Sequence, residues 1–216
     1  MSHLIPYTFP VILRPFFFPA ITRLKNEKKR LFLTFDDGPT PFITQEVLAL
    51  LRDYEAFGTF FVIGEKVKKS PQLAIQIKTE GHTVGNHTWH HLNAFAVRKK
   101  KYLADISHTQ SLLEKMGLNS QKWFRPPYGK ITPSLLYQLK TKGYQTVLWT
   151  HLSMDFDPKR NTEKSLLILK KKIRPGDIIV FHDSQKAWPS LKKILPPLLE
   201  HIKLKKWHAD SLIKYD

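Results

Sequence analysis

Short runs of β-favouring apolar residues alternate with amphipathic stretches along most of the chain. From residue 30 onward, each β-rich run is bounded by turn residues and followed by a stretch with apolar positions three and four residues apart. The runs predict strands at 30–35, 58–63, 82–86, 122–126, 145–150 and 177–181, and a final strand at 208–214. The amphipathic stretches predict helices at 44–55, 71–81, 100–117, 132–143, 162–173 and 189–207. The β-then-α order predicts one α/β domain with a parallel sheet, either a barrel or a doubly wound sheet.

The first 29 residues do not follow this alternation. Their apolar run is broken by Pro6, Pro10, Arg14, Pro15 and Pro19. A signal peptide begins with a basic region, and a membrane-spanning helix needs about twenty consecutive apolar residues, so neither is predicted. We expect residues 1–29 to be an extended aromatic and proline-rich segment on or beside the main domain, 30–216. Peripheral attachment to a lipid surface is the alternative role for this segment.

Composition narrows the classes of function. The 216 residues are 42% hydrophobic, which suits one globular core. The absence of cysteine excludes a disulfide framework, a thiolate metal site and a cysteine nucleophile. A net charge of +17 indicates an anionic neighbour, such as a cell-wall polymer, a lipid surface or nucleic acid, or else solubility alone. Binding to nucleic acid is disfavoured because no recognised binding motif is present. The location of the protein stays open between the cytoplasm and the cell envelope.

Side chains suited to catalysis follow five of the predicted strands. They are Asp36 and Asp37 after the first, His87 to His91 after the third, Arg125 to Gly129 after the fourth, His151 and Asp155 after the fifth, and His182 and Asp183 after the sixth. In a parallel α/β barrel the carboxyl ends of the strands converge on one rim, where active sites are built. The coincidence of these residues predicts an active site at that rim.

The stretch HTWHH indicates a metal site. His87 and His91 are four residues apart and can direct two imidazoles at one point. With Asp37 they would form a site of two histidines and one carboxylate, which leaves coordination positions open and suits Zn²⁺ or another divalent first-row ion. His90 is the alternative to His91.

Five ordered motifs resemble those of the polysaccharide deacetylases, the NodB-homology enzymes of carbohydrate esterase family four. They are TFDDGP at 34–39, NHTWHH at 86–91, RPPYG at 125–129, LWTHLSMDF at 148–156 and IVFHD at 179–183. The resemblance extends from about residue 30 to near the C-terminus and implies a distorted parallel (β/α)7 barrel. It implies metal-dependent removal of acetyl groups from N-acetylglucosamine polymers such as peptidoglycan or chitin. O-deacetylation of acetylated xylan and non-catalytic glycan binding on the same scaffold are the alternatives.

The resemblance also implies residue roles. The metal ligands are Asp37, His87 and His91, with zinc expected and cobalt, nickel or manganese as alternatives. Among the catalytic residues, Asp36 is the general base and Arg125 holds it in place. His182 is the general acid and Asp155 orients it. The backbone N–H of Tyr128 binds the oxyanion. Because base, ligands and acid are all present, the sequence speaks against the non-catalytic alternative.

Several pocket positions depart from the family pattern. Leu152 stands where many members have aspartate, Phe156 where tryptophan is common, and Ile179 where leucine is frequent. The predicted pocket residues are Trp149, Ile179, Pro127 and Phe156, with ordinary core packing as the alternative for Ile179. These departures bear on which glycan is bound more than on the chemistry.

Overall fold

The computed structural model describes residues 6–24, 28–119 and 121–212. Its strands are β1 (Arg30–Asp36), β2 (Thr59–Val62), β3 (Thr83–Asn86), β4 (Trp123–Phe124), β5 (Gln145–Thr146), β6 (His151–Leu152), β7 (Ile178–His182) and β8 (His208–Asp210). Its α-helices are α1 (Ile43–Asp53), α2 (Gly64–Lys69), α3 (Pro71–Thr79), α4 (Lys99–Lys115), α5 (Pro133–Thr141), α6 (Thr162–Lys172) and α7 (Trp188–Leu204). No helix in this described part of the chain has both the length and the apolar character to span a bilayer.

All strand pairs of the sheet are parallel. The strands lie in the order β5-β4-β3-β2-β1-β7-β6, and β8 pairs with the start of β1. The sheet curls into a partial barrel with helices outside, so the predicted α/β fold, a distorted parallel (β/α)7 barrel, is confirmed. Because every β strand of the main path runs the same way, the carboxyl ends of β1, β3, β4 and β7 share one rim.

The alternation of β1 separates an inner face from an outer face. Leu31, Leu33 and Phe35 pack outward in the large cluster that α1, α3 and α7 cover. Phe32 packs inward in a smaller cluster, so Thr34 and Asp36 share that inner face. The strand therefore buries apolar side chains on both sides, and Thr34 and Asp36 bring polar groups to its inner face near the rim.

The predicted strand at 145–150 is wrong as a single element. Only its first two residues form a strand, β5, which pairs with β4; the chain then crosses at 147–150 to β6, which lies just beyond the predicted range and pairs with β7. The crossing follows from two carbonyl groups, those of Val147 and Leu148, which turn inward to accept hydrogen bonds from Arg125 instead of extending a ladder. The predicted strand at 208–214 ends at Asp210, and its last two positions lie outside the described residues.

The predicted helices all appear, and no end is shifted by more than three residues. Helix α2 was not predicted, because its six residues carry too short an apolar pattern.

Residues 6–24 lie along the crossing between β5 and β6. The Phe9 N–H donates to the Thr150 carbonyl at 2.9 Å, and the Leu152 N–H donates to the Tyr7 carbonyl at 2.8 Å. Ile21 forms a parallel bridge with Val147. Between these contacts Val11–Phe17 form a 3₁₀-helix, so the expectation of an extended segment is wrong there. The segment supplies the backbone partners that a regular barrel would take from a longer fifth strand.

Removing one buried ring should test how far this segment supports the domain. Phe9 is buried, with its ring 5.4 Å from that of Phe17 and 6.0 Å from that of Trp149. We expect Phe9→Ala to lower the free energy of unfolding by about 3 kcal/mol, because it leaves a cavity. The matched control Phe16→Ala removes an exposed ring and should change it by less than about 0.5 kcal/mol. Urea unfolding of both variants checks this, and equal stabilities would contradict it.

Candidate active site

The two adjacent aspartates at the end of β1 face the same cluster of side chains. In a continuing strand Asp37 would point away from Asp36, but its φ of 76° turns the backbone into the left-handed region. As a result, His87 Nε2 lies 4.0 Å from an Asp36 oxygen and 3.8 Å from Asp37 Oδ1. A turn at this position is what brings two carboxylates to one histidine.

Asp37, His87 and His91 form the one group of potential metal ligands found among the described residues. One ligand atom from each residue lies within 4.8 Å of the others, and His91 Nε2 is 3.2 Å from Asp37 Oδ1. The loop that carries the histidines has φ angles of 66° at Thr88 and 55° at His91, so the ring of His91 is aimed by left-handed turns rather than by a helix. The expected set of ligand residues is therefore brought together.

His90, the alternative ligand, lies apart from this cluster. Its Nδ1 is 2.6 Å from Asp105 Oδ1, on α4. The other Asp105 oxygen accepts the backbone N–H groups of Trp89 and His90, at 2.8 and 3.0 Å. Asp105 thus fixes the middle of the histidine loop and keeps His90 away from Asp37.

The protonation of these groups suits a cation. The Nδ1–H of His87 donates to the Arg125 carbonyl at 2.7 Å, which leaves the Nε2 lone pair directed at Asp37. Burial lowers the pKa of His87 to about 4, so its ring is neutral at pH 7. Burial alone would raise the pKa of Asp37, but the hydrogen bond with His91 and the nearby His182 and His87 lower it well below its usual range.

The spacing of the three residues also fits a small divalent ion. Ligands about 2.0–2.2 Å from a tetrahedral Zn²⁺ lie roughly 3.3–3.6 Å from each other. The His91–Asp37 and His87–Asp37 distances of 3.2 and 3.8 Å bracket that value. Three protein ligands leave a coordination position open, as catalytic sites do.

Arg125 is fully buried and holds Asp36 in place. Its Nη1 donates to Asp36 Oδ1 at 2.8 Å and to Thr34 Oγ1 at 2.7 Å. Its Nε and Nη2 donate to the Val147 and Leu148 carbonyls, and its guanidinium lies 4.2 Å from the centre of the Phe61 ring. Every direction of the fork is used, so the guanidinium cannot move without breaking several bonds. Thr34, which sequence reasoning missed, is recognisable because it lies two positions before Asp36 on the same strand face.

His182 is held by Asp155 through two contacts. One Asp155 oxygen lies 2.8 Å from His182 Nδ1, and the other accepts the His182 backbone N–H at 2.8 Å. Burial by itself would lower the pKa of His182, but the carboxylates of Asp155, Asp37 and Asp36 outweigh it and raise the pKa to about 9. A protonated imidazole with its Nε2–H directed away from Asp155 is a suitable proton donor.

Aromatic residues wall the site. Trp149 and Phe156 pack on the cluster of Leu152, Met154 and Val180, and the Phe156 ring is 4.9 Å from that of His182. Pro127 is buried at the start of the 3₁₀-helix Pro127–Gly129. Tyr128 is exposed with a φ of 60°, and its ring lies 4.7 Å from that of His91. Gly129 has a φ of 64°, and an added Cβ would collide with the Trp149 ring, so glycine is required there.

The prediction that Ile179 lines the pocket is wrong. Its side chain is fully buried in the outer cluster with Leu33 and Phe181. His182 faces the site, so on a strand the residue two positions earlier, Val180, shares its face, and Ile179 points to the helices. Val180 is the residue that sequence reasoning missed, although strand alternation alone could have identified it.

Comparison with known proteins agrees with this arrangement. Residues 23–147 match the family described as polysaccharide deacetylase. A peptidoglycan-N-acetylglucosamine deacetylase of Bacillus cereus is 39% identical over 181 residues, covering 80% of this chain and 83% of that protein. A chitooligosaccharide deacetylase of Azorhizobium caulinodans is 33% identical over 162 residues, covering 74% of this chain and 77% of that protein.

A solved structure agrees in fold. The peptidoglycan deacetylase PdaC of Bacillus subtilis superposes with a TM-score of 0.77 at 28% identity, covering 89% of this chain and 92% of that chain. The family match spans more than half of the chain, and the relatives are similar along most of their own length. The chain therefore belongs to the polysaccharide deacetylase family.

Proposed function

We propose that this protein is a metal-dependent hydrolase that removes acetyl groups from N-acetylated amino sugars of a glycan, such as the N-acetylglucosamine of peptidoglycan or chitooligosaccharides. The observation that carries the proposal is the juxtaposition of a three-residue ligand set with a base held by an arginine and an acid held by a carboxylate. The deacetylases that are similar to this chain in sequence support the same reaction class.

Asp37, His87 and His91 would hold the cation, for which we propose zinc. When bound, a divalent ion there would act as a Lewis acid and lower the pKa of a water at the site. Asp36 is the residue proposed to take a proton from that water, because Arg125 holds one of its oxygens and the other lies beside the ligand set, 4.0 Å from His87 Nε2. Arg125 places a buried positive charge against Asp36, which lies beside a second carboxylate, Asp37.

His182 is the proposed general acid. An amine leaves a tetrahedral intermediate only when it is protonated, and the Asp155 carboxylate keeps a proton available on His182. The Tyr128 backbone N–H, in the left-handed turn after Pro127, is the proposed donor to the oxyanion. Such a donor typically contributes about 3 kcal/mol to the stability of the transition state.

The wall of Trp149, Phe156 and Val180 supports a small apolar slot, which suits an acetyl methyl group. O-deacetylation of xylan remains the alternative substrate class, and the intact set of base, ligands and acid favours catalysis over glycan binding alone. The net charge of +17 supports contact with an anionic component of the cell envelope.

Removing one proposed ligand should weaken metal binding, which can be measured independently of catalytic activity. We expect His87→Ala and His91→Ala to weaken Zn²⁺ binding by at least about 100-fold, more than the loss of an outer-shell partner. His90→Ala is the matched control, because His90 contacts Asp105 instead, and it should bind as the unmodified protein does. Isothermal titration of chelator-stripped protein measures this. Equal losses in all three variants would contradict the proposed ligand set.

Acetate release identifies the substrate. We expect chelator-stripped protein to release acetate from N-acetylglucosamine oligomers only after Zn²⁺ or Co²⁺ is restored, and not from acetylated xylan. Asp36→Asn should lower the rate by about 10²–10⁴-fold, because the carboxamide cannot accept the proton. Release from xylan alone would retain the mechanism and refute the substrate. No release from either, with metal bound, would favour the non-catalytic alternative.

The pH profile tests the acid. His182 works as an acid only while protonated, so activity should fall as pH rises through its pKa. Asp155→Asn removes the carboxylate that raises this pKa, and the alkaline limb of kcat should move to lower pH by about one to three units. Asp157→Asn is the control, since Asp157 bonds the backbone of Lys159 instead. An alkaline limb that stays in place in Asp155→Asn would refute the role of His182.

A further inference from the structure

Residues 12–18 present an apolar surface unlike any other in the described chain. Ile12 is 79% exposed, Leu13 41%, Phe16 68% and Phe18 75%. We call these four side chains the apolar face. Elsewhere among the described residues, exposed large apolar side chains occur singly, at Phe42, Phe95, Tyr128, Tyr137, Leu167 and Leu204. Scattered exposure needs no explanation, but four exposed apolar side chains within seven residues indicate a binding surface.

The apolar face is held rigidly on the domain. The Leu13 N–H donates to the Pro10 carbonyl at 3.0 Å and the Phe18 N–H to the Pro15 carbonyl at 3.2 Å, within a segment whose prolines fix φ. On the opposite side, Phe17 packs against the cluster beneath α5. The backbone bonds to 146–152 anchor both ends of the segment. Because the face is already ordered, binding through it costs little conformational entropy.

Cationic side chains accompany the apolar face. Lys140 Nζ lies 5.4 Å from the centre of the Phe18 ring, and the exposed Lys142 follows at the end of α5. The whole chain carries 35 lysines and arginines against 18 acidic residues. Apolar side chains flanked by lysines are the arrangement with which peripheral proteins bind anionic lipid surfaces.

The exposed fractions favour lipid over a protein partner. Side chains that are more than two-thirds exposed protrude from the surface, and a rigid protein would need matching pockets to receive them. A bilayer interface accepts protruding side chains of any shape. A second copy of this chain would bring another charge of +17 to the contact, which opposes association.

We propose that the apolar face inserts into the boundary between headgroups and acyl chains of an anionic bilayer, with nearby lysines against the headgroups. Phe9 connects the apolar face to the proposed active site. Its ring packs against Phe17, next to the apolar face, and against Trp149 of the pocket wall. The lipid surface would then lie on the side of the pocket formed by Trp149. This association goes beyond the proposed deacetylation and does not depend on it.

Vesicle co-sedimentation tests the proposal. The probes are vesicles of phosphatidylcholine alone and vesicles containing phosphatidylglycerol in addition. We expect the full chain to sediment with the anionic vesicles, less so at high salt. The triple variant Ile12→Ser, Phe16→Ser, Phe18→Ser should bind at least about tenfold more weakly, because it removes the inserting side chains. The matched control Leu167→Ser, Leu204→Ser removes equally exposed side chains from α6 and α7 and should bind normally.

Three results would overturn the proposal. The first is that the unmodified chain does not sediment with anionic vesicles. The second is that the triple variant binds as well as the control. The third is a dimer in analytical ultracentrifugation that the triple variant dissociates, because a second copy would then cover the face. Unfolding curves of the triple variant verify that it is folded, and its acetate release from soluble oligomers reports separately on the proposed function.

Discussion

The buried ion pair of Arg125 and Asp36 is the interaction on which the rest of the site depends. A guanidinium with no solvent contact is tolerated only when it is paired and hydrogen-bonded, and here all three of its nitrogens donate, to β1 and to the crossing at 147–148. The Arg125 carbonyl also accepts a hydrogen bond from the His87 Nδ1–H, so the same residue positions Asp36 and sets the tautomer of His87. Removing one partner of such a pair typically costs about 3–5 kcal/mol.

A second constraint is that two carboxylates lie side by side at the end of one strand. They have different neighbours: Asp36 contacts the Arg125 guanidinium, and Asp37 faces two imidazoles that could share a metal with it. The left-handed turn at Asp37 produces this division, since a regular strand would have separated the two side chains. His182 benefits as well, because the same carboxylates help to keep it protonated.

Local patterns allowed most of the fold to be predicted, and non-local contacts explain the errors. Apolar residues that recur every second position located the strands, and those that recur every three to four positions located the helices. The ordered motifs identified the site residues that the fold brings together. The break within 145–150 could not be read from Val147 and Leu148, which are good strand formers, because their carbonyls turn toward an arginine from another part of the chain.

The histidine loop shows the limit of spacing as a guide. Spacing alone left His90 and His91 open, because the left-handed turns at Thr88 and His91 and the carboxylate of Asp105 decide which ring faces Asp37. The error at Ile179 was different, since strand alternation from His182 already identified Val180.

The N-terminal segment and the strands position different parts of the proposed site. The proposed ligands, base and acid all come from the ends of strands or the loops that directly follow them, whereas the position of Trp149 depends in part on a segment that contributes none of them. Substitutions in that segment can reshape one wall of the pocket while the reacting groups keep their geometry. In the proposed enzyme, such substitutions would alter which sugar fits the pocket and leave the proposed chemistry unchanged.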